Sequence, residues 1–329
     1  MNPASPRLIV IICTHNPREA GLRETLQALR DQTVPAAGWD LLVIDNCSRT
    51  PLTDWLDLSW HPRARILREE RLGTAYARLT ALREASAAGA ELVLFVDDDN
   101  ILAADYVAVG LELADAWPQL GCWGGQLLPR YEAEPPVWLE NFKNLLAIHP
   151  LAAPVWSNQV HTYDTVPPTA GCFLRRPVWL LYLQLVEENP LRLTLGARGQ
   201  DQVRGEDTDL VLSAIDLGLG LARFPRLSLE HIIPAGRLTV AYVENLIAGV
   251  NVGITVLEYI RYGRIPEPIG PNWLARMLVK SRARRLPEPL RTFCQAELRG
   301  REKAVQMIRE WERRAPSPDK PESLFATPV

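Results

Sequence analysis

Cysteine is scarce in this chain and widely spread. The five cysteines, Cys13, Cys47, Cys122, Cys172 and Cys294, lie far apart, mostly in apolar segments, and no C-x-x-C pair occurs. That spacing excludes a thiolate zinc site, and buried free thiols in a reducing compartment are the simplest account. Long uninterrupted apolar runs are also missing. The longest apolar stretch, Ala241 to Ile260, is broken by Glu244, Asn245, Asn251 and Glu258 and reads as a poor membrane span. Nothing near Met1 has the layout of a signal peptide: Leu8 to Ile12 is too short for its apolar core and reads better as a strand. The net charge is only −3, so no global nucleic-acid footprint is present. Internal repeats and low-complexity tracts are absent as well. What remains is ordinary globular composition, 47% hydrophobic and 23% charged over 329 residues. That length holds one large α/β domain, or one domain with an appendage.

The charge is unevenly placed. From Arg261 to Arg314 there are 14 Lys and Arg against 6 Asp and Glu, so the rest of the chain is clearly acidic. The basic part has two readings. One is a pair of packed helices with solvated arginines. The other is a peripheral contact with anionic lipid, centred on Lys280, Arg282, Arg284 and Arg285.

Strand and helix patterns alternate through the first half. Leu8–Cys13, Leu41–Ile44, Arg65–Leu67 and Leu92–Val96 read as strands. Arg18–Arg30, Thr74–Ala88 and Ala103–Ala116 read as helices. This alternation implies a parallel sheet covered on both faces, with the loops after the strands gathered on one edge. Prolines then cluster from Leu127 to Pro168, with Trp138 and Trp156 among them, which predicts an ordered but irregular excursion. Ala170–Leu174 and Leu227–Leu229 read as strands. Pro177–Val186 and Glu206–Leu217 read as helices, and long helices follow Thr239.

The densest chemistry is Asp97-Asp98-Asp99, directly after the apolar run Leu92–Val96. Three like charges at the end of a buried strand are unfavourable unless something positive lies beside them. Ligands bind at strand ends in open α/β sheets, and a divalent cation carrying a phosphorylated ligand satisfies both conditions. The alternative is a solvated turn in which Asp99 or Asn100 caps the helix near Ala103. Other polar clusters also follow predicted strands: Cys13-Thr14-His15-Asn16-Pro17 and Asp45-Asn46-Cys47-Ser48. Gly205-Glu206-Asp207-Thr208-Asp209 opens a helix, where acids also favour the macrodipole.

In order, the chain reads I-I-C-T-H-N, V-I-D-N-C-S, R-L-G-T-A-Y-A-R, F-V-D-D-D, G-E-D-T-D-L and E-H-I-I-P-A-G-R-L-T. This series, over roughly residues 7 to 240, resembles the family 2 glycosyltransferases of the GT-A fold. The resemblance implies a mostly parallel central sheet flanked by helices. It implies a catalytic domain over residues 1–238, with a nucleotide-binding half at about 7–125 and an acceptor-side half at about 126–238. A helical C-terminal extension over 239–314 and a flexible tail over 315–329 complete the expected organisation.

The same resemblance implies inverting transfer of a sugar from a nucleotide-diphosphate sugar, usually a UDP-sugar, to an acceptor hydroxyl. Mn²⁺ or Mg²⁺ would assist, and the acceptor would be a glycan or a lipid-linked glycoconjugate. On it, Asp99 matches the metal-binding carboxylate, and His231 can complete the metal site. Asp97 and Asp98 match positions near the ribose and sugar. Asp45 matches the carboxylate that accepts from the base; an Asx-turn closing the strand is the other reading. Thr14 and Asn16 match the loop walling the nucleotide. Arg78 matches a basic residue near the diphosphate, with a solvated helix arginine as the alternative, and Leu79 departs from the asparagine often found next. Asp207 matches the catalytic base and Glu206 an orienting group, while Arg237 could close over the diphosphate. Trp123, Trp138 and Trp156 are candidates for stacking on sugars, with Trp138 the acceptor-side choice and core packing the competing role.

The expected location is the cytoplasm, or the inner face of the membrane if the basic helices touch lipid. Three other functions are to be weighed. A sugar-phosphate nucleotidyltransferase opens with a Gly-rich basic loop after its first strand, which Thr14-His15-Asn16-Pro17-Arg18 lacks. A haloacid-type phosphatase carries its strand-end aspartates at the first strand. A non-catalytic carbohydrate-binding relative would have no reason to keep both Asp99 and Asp207.

Overall fold

The computed structural model describes residues 7–159, 163–199, 201–265 and 284–314. Strand β1 (Leu8–Thr14) pairs in parallel with β2 (Asp40–Asn46), and β2 with β3 (Ala64–Glu69). Helices α1 (Glu19–Arg30) and α2 (Thr74–Ala87) make the crossovers. Helix α1 buries Leu22, Leu26 and Leu29 at helical spacing. Helix α2 buries Ala75, Leu79, Leu82 and Ala85, whose short side chains let it lie close to the sheet. Strand β4 (Leu92–Val96), buried throughout, pairs in parallel with β1 on the side away from β2. The order β3-β2-β1-β4 therefore reverses between β1 and β4. At such a switch point the loops after the two strands part and leave a crevice.

Beyond β4 the sheet is mixed. Strand β5 (Asn100–Leu102) follows the Asp triplet at once, and α3 (Tyr106–Ala116) covers the sheet. Strands β6 (Leu120–Tyr131), β7 (Val155–Ser157), β8 (Cys172–Arg175) and β9 (Gly220–Ile233) complete it, with helices α4 (Arg176–Glu188) and α5 (Glu206–Asp216). The described strands run β3-β2-β1-β4-β8-β6-β9-β5, with β7 also on β9. Strand β8 is antiparallel to both β4 and β6, and β5 and β7 are antiparallel to β9.

Several expectations shift. Leu127–Tyr131 belongs to β6 and not to the irregular excursion. The expected short strand at Leu227–Leu229 is the middle of a 14-residue β9. Asn100 lies in β5, so it does not cap a helix; α3 starts only at Tyr106, and Asp105 at its N-cap makes no side-chain capping bond. No strand was expected over Leu120–Tyr131, where β6 runs through Gly124-Gly125. A Cβ at Gly125 would run into the Leu227 carbonyl of β9, so glycine is what lets β6 and β9 approach, at a register shift between Gly124 and Gln126.

The chain divides into two compact units: Met1–Asn189 with Glu206–Thr239, and Pro190–Gly205 with Val240–Val329. Pro190–Gly205 was expected in the acceptor-side half but groups with the second unit. There, helices α6 (Val240–Tyr262) and α7 (Leu290–Arg314) pack together. A Cβ at Gly249 or Gly253 would collide with the carbonyls of Gln202 and Arg204, so these glycines let the segment lie on α6. Lys303 Nζ pairs with Asp201 at 2.9 Å within the same unit. Helix α6 passes the length and composition test for a membrane span among the described residues. Half of its apolar window is buried inside the protein, as in a core helix. Lys280 and Arg282 of the basic cluster, and the expected tail 315–329, lie outside the described residues; Arg284 and Arg285 are exposed.

Candidate active site

The switch-point crevice gathers most of the residues singled out in the sequence. Thr14 ends β1, and its hydroxyl donates to Asp98 Oδ2 across the crevice. Asn16 sits in the left-handed region at φ 49°. Its backbone N–H donates to Ser48 Oγ at 2.9 Å, and its Oδ1 accepts from Arg49 N at 2.8 Å. His15 Nδ1 lies 2.6 Å from the Asn46 carbonyl, a contact that requires a proton on Nδ1. Nε2 is then the acceptor, and Asn16 Nδ2 donates to it at 2.8 Å. The loops after β1 and β2 are thus tied into one wall.

Asp45 is 2% exposed at the end of β2. Its Oδ1 accepts from Ser48 N at 2.9 Å; its Oδ2 accepts from Leu52 N at 3.1 Å and Arg68 Nη1 at 2.9 Å. Burial alone would raise its pKa, but these hydrogen bonds and the Arg68 charge hold it below the usual carboxylate value. The Asx-turn reading describes this geometry, and the Ser48 side chain adds a further hydrogen bond to the carboxylate. The neighbouring Asn46, which sequence reasoning passed over, closes the wall. It donates to the carbonyls of Glu69 (3.2 Å) and Arg71 (2.7 Å) and accepts from Gly73 N (2.8 Å). Glu69 is paired with Arg71 and Thr80, and these hydrogen bonds outweigh burial and bring its pKa down to about 2.

The Asp triplet is not left as three bare charges. Arg78 Nη1 donates to Glu206 Oε1 at 2.7 Å and Nη2 to Thr169 Oγ1 at 2.8 Å. The two charged side chains are only 12% and 4% exposed, so Arg78 is no solvated helix arginine. Burial works to lower its pKa; the charges of Glu206, Asp207 and Asp97 more than offset this and keep it protonated. Asp97 is pushed up by burial and by Asp99, against the pull of Arg78. Asp98 is also pushed up by burial and the Asp99 charge.

Asp99 behaves differently. Burial would raise its pKa, but His231 and Arg237 outweigh burial and hold it below the usual value. The contact with His231 comes from sheet register: Asn100 faces His231 in the β5–β9 ladder, and Ile232 N donates to the Asp99 carbonyl at 2.9 Å. His231 Nε2 therefore lies 3.5 Å from Asp99 Oδ2. Arg237, in the turn after β9, reaches both: its Nη1 is 3.0 Å from Asp99 Oδ2 and 3.1 Å from His231 Nε2.

The carboxylate oxygen suits Mn²⁺ or Mg²⁺, and the imidazole nitrogen suits Mn²⁺ better than Mg²⁺. His231 is 7% exposed, and its Nδ1 is buried with no hydrogen-bond partner among the described residues, so only its Nε2 face is engaged. The pair fits a divalent cation as a partial ligand set. Among the described residues no group of three or more His, Cys, Asp or Glu side chains converges.

Asp207 opens α5, half-buried, with its Oδ1 accepting from Thr208 N at 2.8 Å. Of the candidate tryptophans, Trp123 is fully buried and stacked on Phe173 at 5.5 Å, a core role. Trp138 is half-buried, and Trp156 is 54% exposed on β7 beside Trp117.

A crevice at a β1/β4 switch point, lined by strand-end carboxylates and closed by an antiparallel strand bearing a histidine, defines a GT-A-type sugar-nucleotide transferase. Residues 9–165, just under half of the chain, match the family model for glycosyl transferase family 2. The protein is a glycosyltransferase. Among solved structures, it superposes on Staphylococcus aureus TarS 1–349 in complex with UDP-GlcNAc with TM-score 0.51 and 12% identity, covering 93% of this chain and 92% of that one. It superposes on the mannosyltransferase PcManGT from Pyrobaculum calidifontis, in complex with GDP-Man and Mn²⁺, with TM-score 0.51 and 21% identity, covering 94% and 88%. These likenesses establish the GT-A fold. No curated protein sequence matches the chain.

Proposed function

We propose that this glycosyltransferase is metal-dependent and inverting. Its donor is a nucleotide-diphosphate sugar, with UDP-sugars favoured, and its acceptor is a hydroxyl of a glycan or lipid-linked molecule in polysaccharide or glycoconjugate assembly. The observation that carries the reading is the meeting of Asp99 with His231 at the mouth of a crevice that also holds Arg78, Asp97 and Asp207. TarS with UDP-GlcNAc and PcManGT with GDP-Man and Mn²⁺ hold nucleotide sugars on this fold, which supports a nucleotide-sugar donor here.

In this reading Thr14, Asn16 and Asp45 form the nucleotide wall, with Asp45 on the side of the base. Asp97 and Asp98 lie where ribose and sugar hydroxyls would bind; a protonated Asp98 can donate as well as accept. A divalent cation on Asp99 and His231, when bound, would neutralise charge gathering on the diphosphate leaving group. Asp207 takes the proton from the acceptor hydroxyl as that oxygen attacks the anomeric carbon. The bond from that carbon to the diphosphate oxygen breaks, the nucleoside diphosphate leaves, and the configuration inverts. The enzyme would work in the cytoplasm, and the exposed Arg284 and Arg285 would face anionic lipid where the acceptor is lipid-linked.

Asp99→Ala tests the metal assignment. Calorimetry with UDP or GDP should show that Mn²⁺ tightens nucleotide binding to the wild type by about tenfold or more and has no such effect on the variant. Equal Mn²⁺ enhancement in both proteins would remove Asp99 from the metal site.

A further inference from the structure

Arg237 does something the diphosphate-closing role does not require. A single guanidinium nitrogen sits 3.0 Å from Asp99 Oδ2 and 3.1 Å from His231 Nε2, the two atoms proposed to hold the cation. Arg237 Nη1 thus occupies the space beside both atoms that a cation would fill. The contact to Asp99 is charge-assisted and only 15% of that carboxylate is exposed, so it is worth more than a surface ion pair. Arg237 itself is 34% exposed, on the short turn Ala235–Leu238 after β9, with its N–H on the Pro234 carbonyl at 2.9 Å. It is thus tethered at the crevice edge by a short segment, with its side chain at the boundary with solvent.

We infer that Arg237 masks the metal site in the free enzyme, and that the donor diphosphate removes the mask. The inference rests on the assignment of Asp99 and His231 as cation ligands. A planar guanidinium can grip two oxygens of a doubly charged diphosphate through two N–H groups, a stronger pairing than one carboxylate oxygen and one imidazole nitrogen. When the diphosphate enters, Arg237 transfers to it and Asp99 and His231 become available. The same diphosphate offers the cation further oxygens. Cation and nucleotide then bind with positive coupling, and by linkage each tightens the other by the same factor. The free enzyme holds the cation weakly, because binding must first break the Arg237 contacts.

The test is direct Mn²⁺ titration of the full chain, followed by electron paramagnetic resonance of the free ion, with no sugar donor present. Wild type alone should bind Mn²⁺ weakly, and UDP or GDP should tighten it by about tenfold or more. Arg237→Ala should bind Mn²⁺ more tightly than wild type without nucleotide, with a smaller nucleotide enhancement. Arg237→Lys should behave closer to wild type, because an ammonium can still contact Asp99 Oδ2. Circular dichroism confirms that each variant is folded. Equal or weaker Mn²⁺ binding by Arg237→Ala without nucleotide, alongside normal nucleotide-dependent binding in the wild type, overturns the masking role and leaves the metal site standing. Absence of Mn²⁺ binding in every protein, with and without UDP or GDP, overturns both.

Discussion

Asp207→Asn is expected to lose transfer almost completely while still binding the donor. General base catalysis contributes about a hundred- to ten-thousand-fold to rate. The amide keeps the size and the Thr208 hydrogen bond of the carboxylate but cannot take a proton at neutral pH. The fall should therefore appear in kcat, with the nucleotide dissociation constant unchanged within about twofold. The measurement is a pair: steady-state transfer and calorimetric titration with nucleotide. A variant that transfers at the wild-type rate would take Asp207 out of the reaction. A variant that fails to bind nucleotide would assign it to donor binding.

The second large effect concerns the Arg78–Glu206 pair. Removing one partner of a buried ion pair costs about 3–5 kcal/mol, because the other is left charged without water. The two removals should differ here. Arg78→Met strands Glu206 and also takes a cation away from Asp97 and Asp207, whose charges act on it. Glu206→Gln leaves Arg78 with those two carboxylates and the Thr169 hydroxyl. Denaturant unfolding should rank Arg78→Met well below Glu206→Gln, with a loss for the latter of about 1–3 kcal/mol. The double variant Arg78→Met/Glu206→Gln should be less destabilised than the sum of the singles, since both charges leave together. Equal, additive losses would mean that the pair is no more than a surface contact.

The first half of the fold was legible because local patterns and tertiary burial agree there. Leu92–Val96 is apolar at every position and is buried at every position, and the charges begin where the strand ends. The same holds for β1 and for the apolar stripe of α1. The second half was less legible because its strands depend on partners distant in the chain. Gly124 and Gly125 carry no strand signal until β9 is laid beside them. Asn100 looks like a cap until β5 pairs with β9. The long apolar helix α6 carries glycines that make sense only under the 202–205 backbone.

The site divides in the same way. Residue types at strand ends pointed to the crevice, and the family resemblance assigned them roles. The Arg78–Glu206 pair was invisible, since no local rule couples positions 128 apart, whereas the resemblance had already placed Asp99 and His231 at one site. Asp45 shows the opposite case: the residue was found, but its hydrogen bonds are those of a strand-closing turn. The charge argument about the triplet also changed form. Positive groups do lie beside it, and in the protein itself they are Arg78 and Arg237.

The most direct measurement is nucleoside diphosphate release from a panel of UDP- and GDP-sugars, with Mn²⁺ and with chelator. The expected result is release of one nucleoside diphosphate from a single donor or a small set, dependent on the cation and lost in Asp207→Asn when acceptor is supplied. Release of pyrophosphate from a nucleoside triphosphate plus a sugar phosphate, with every nucleotide sugar inert, would contradict it.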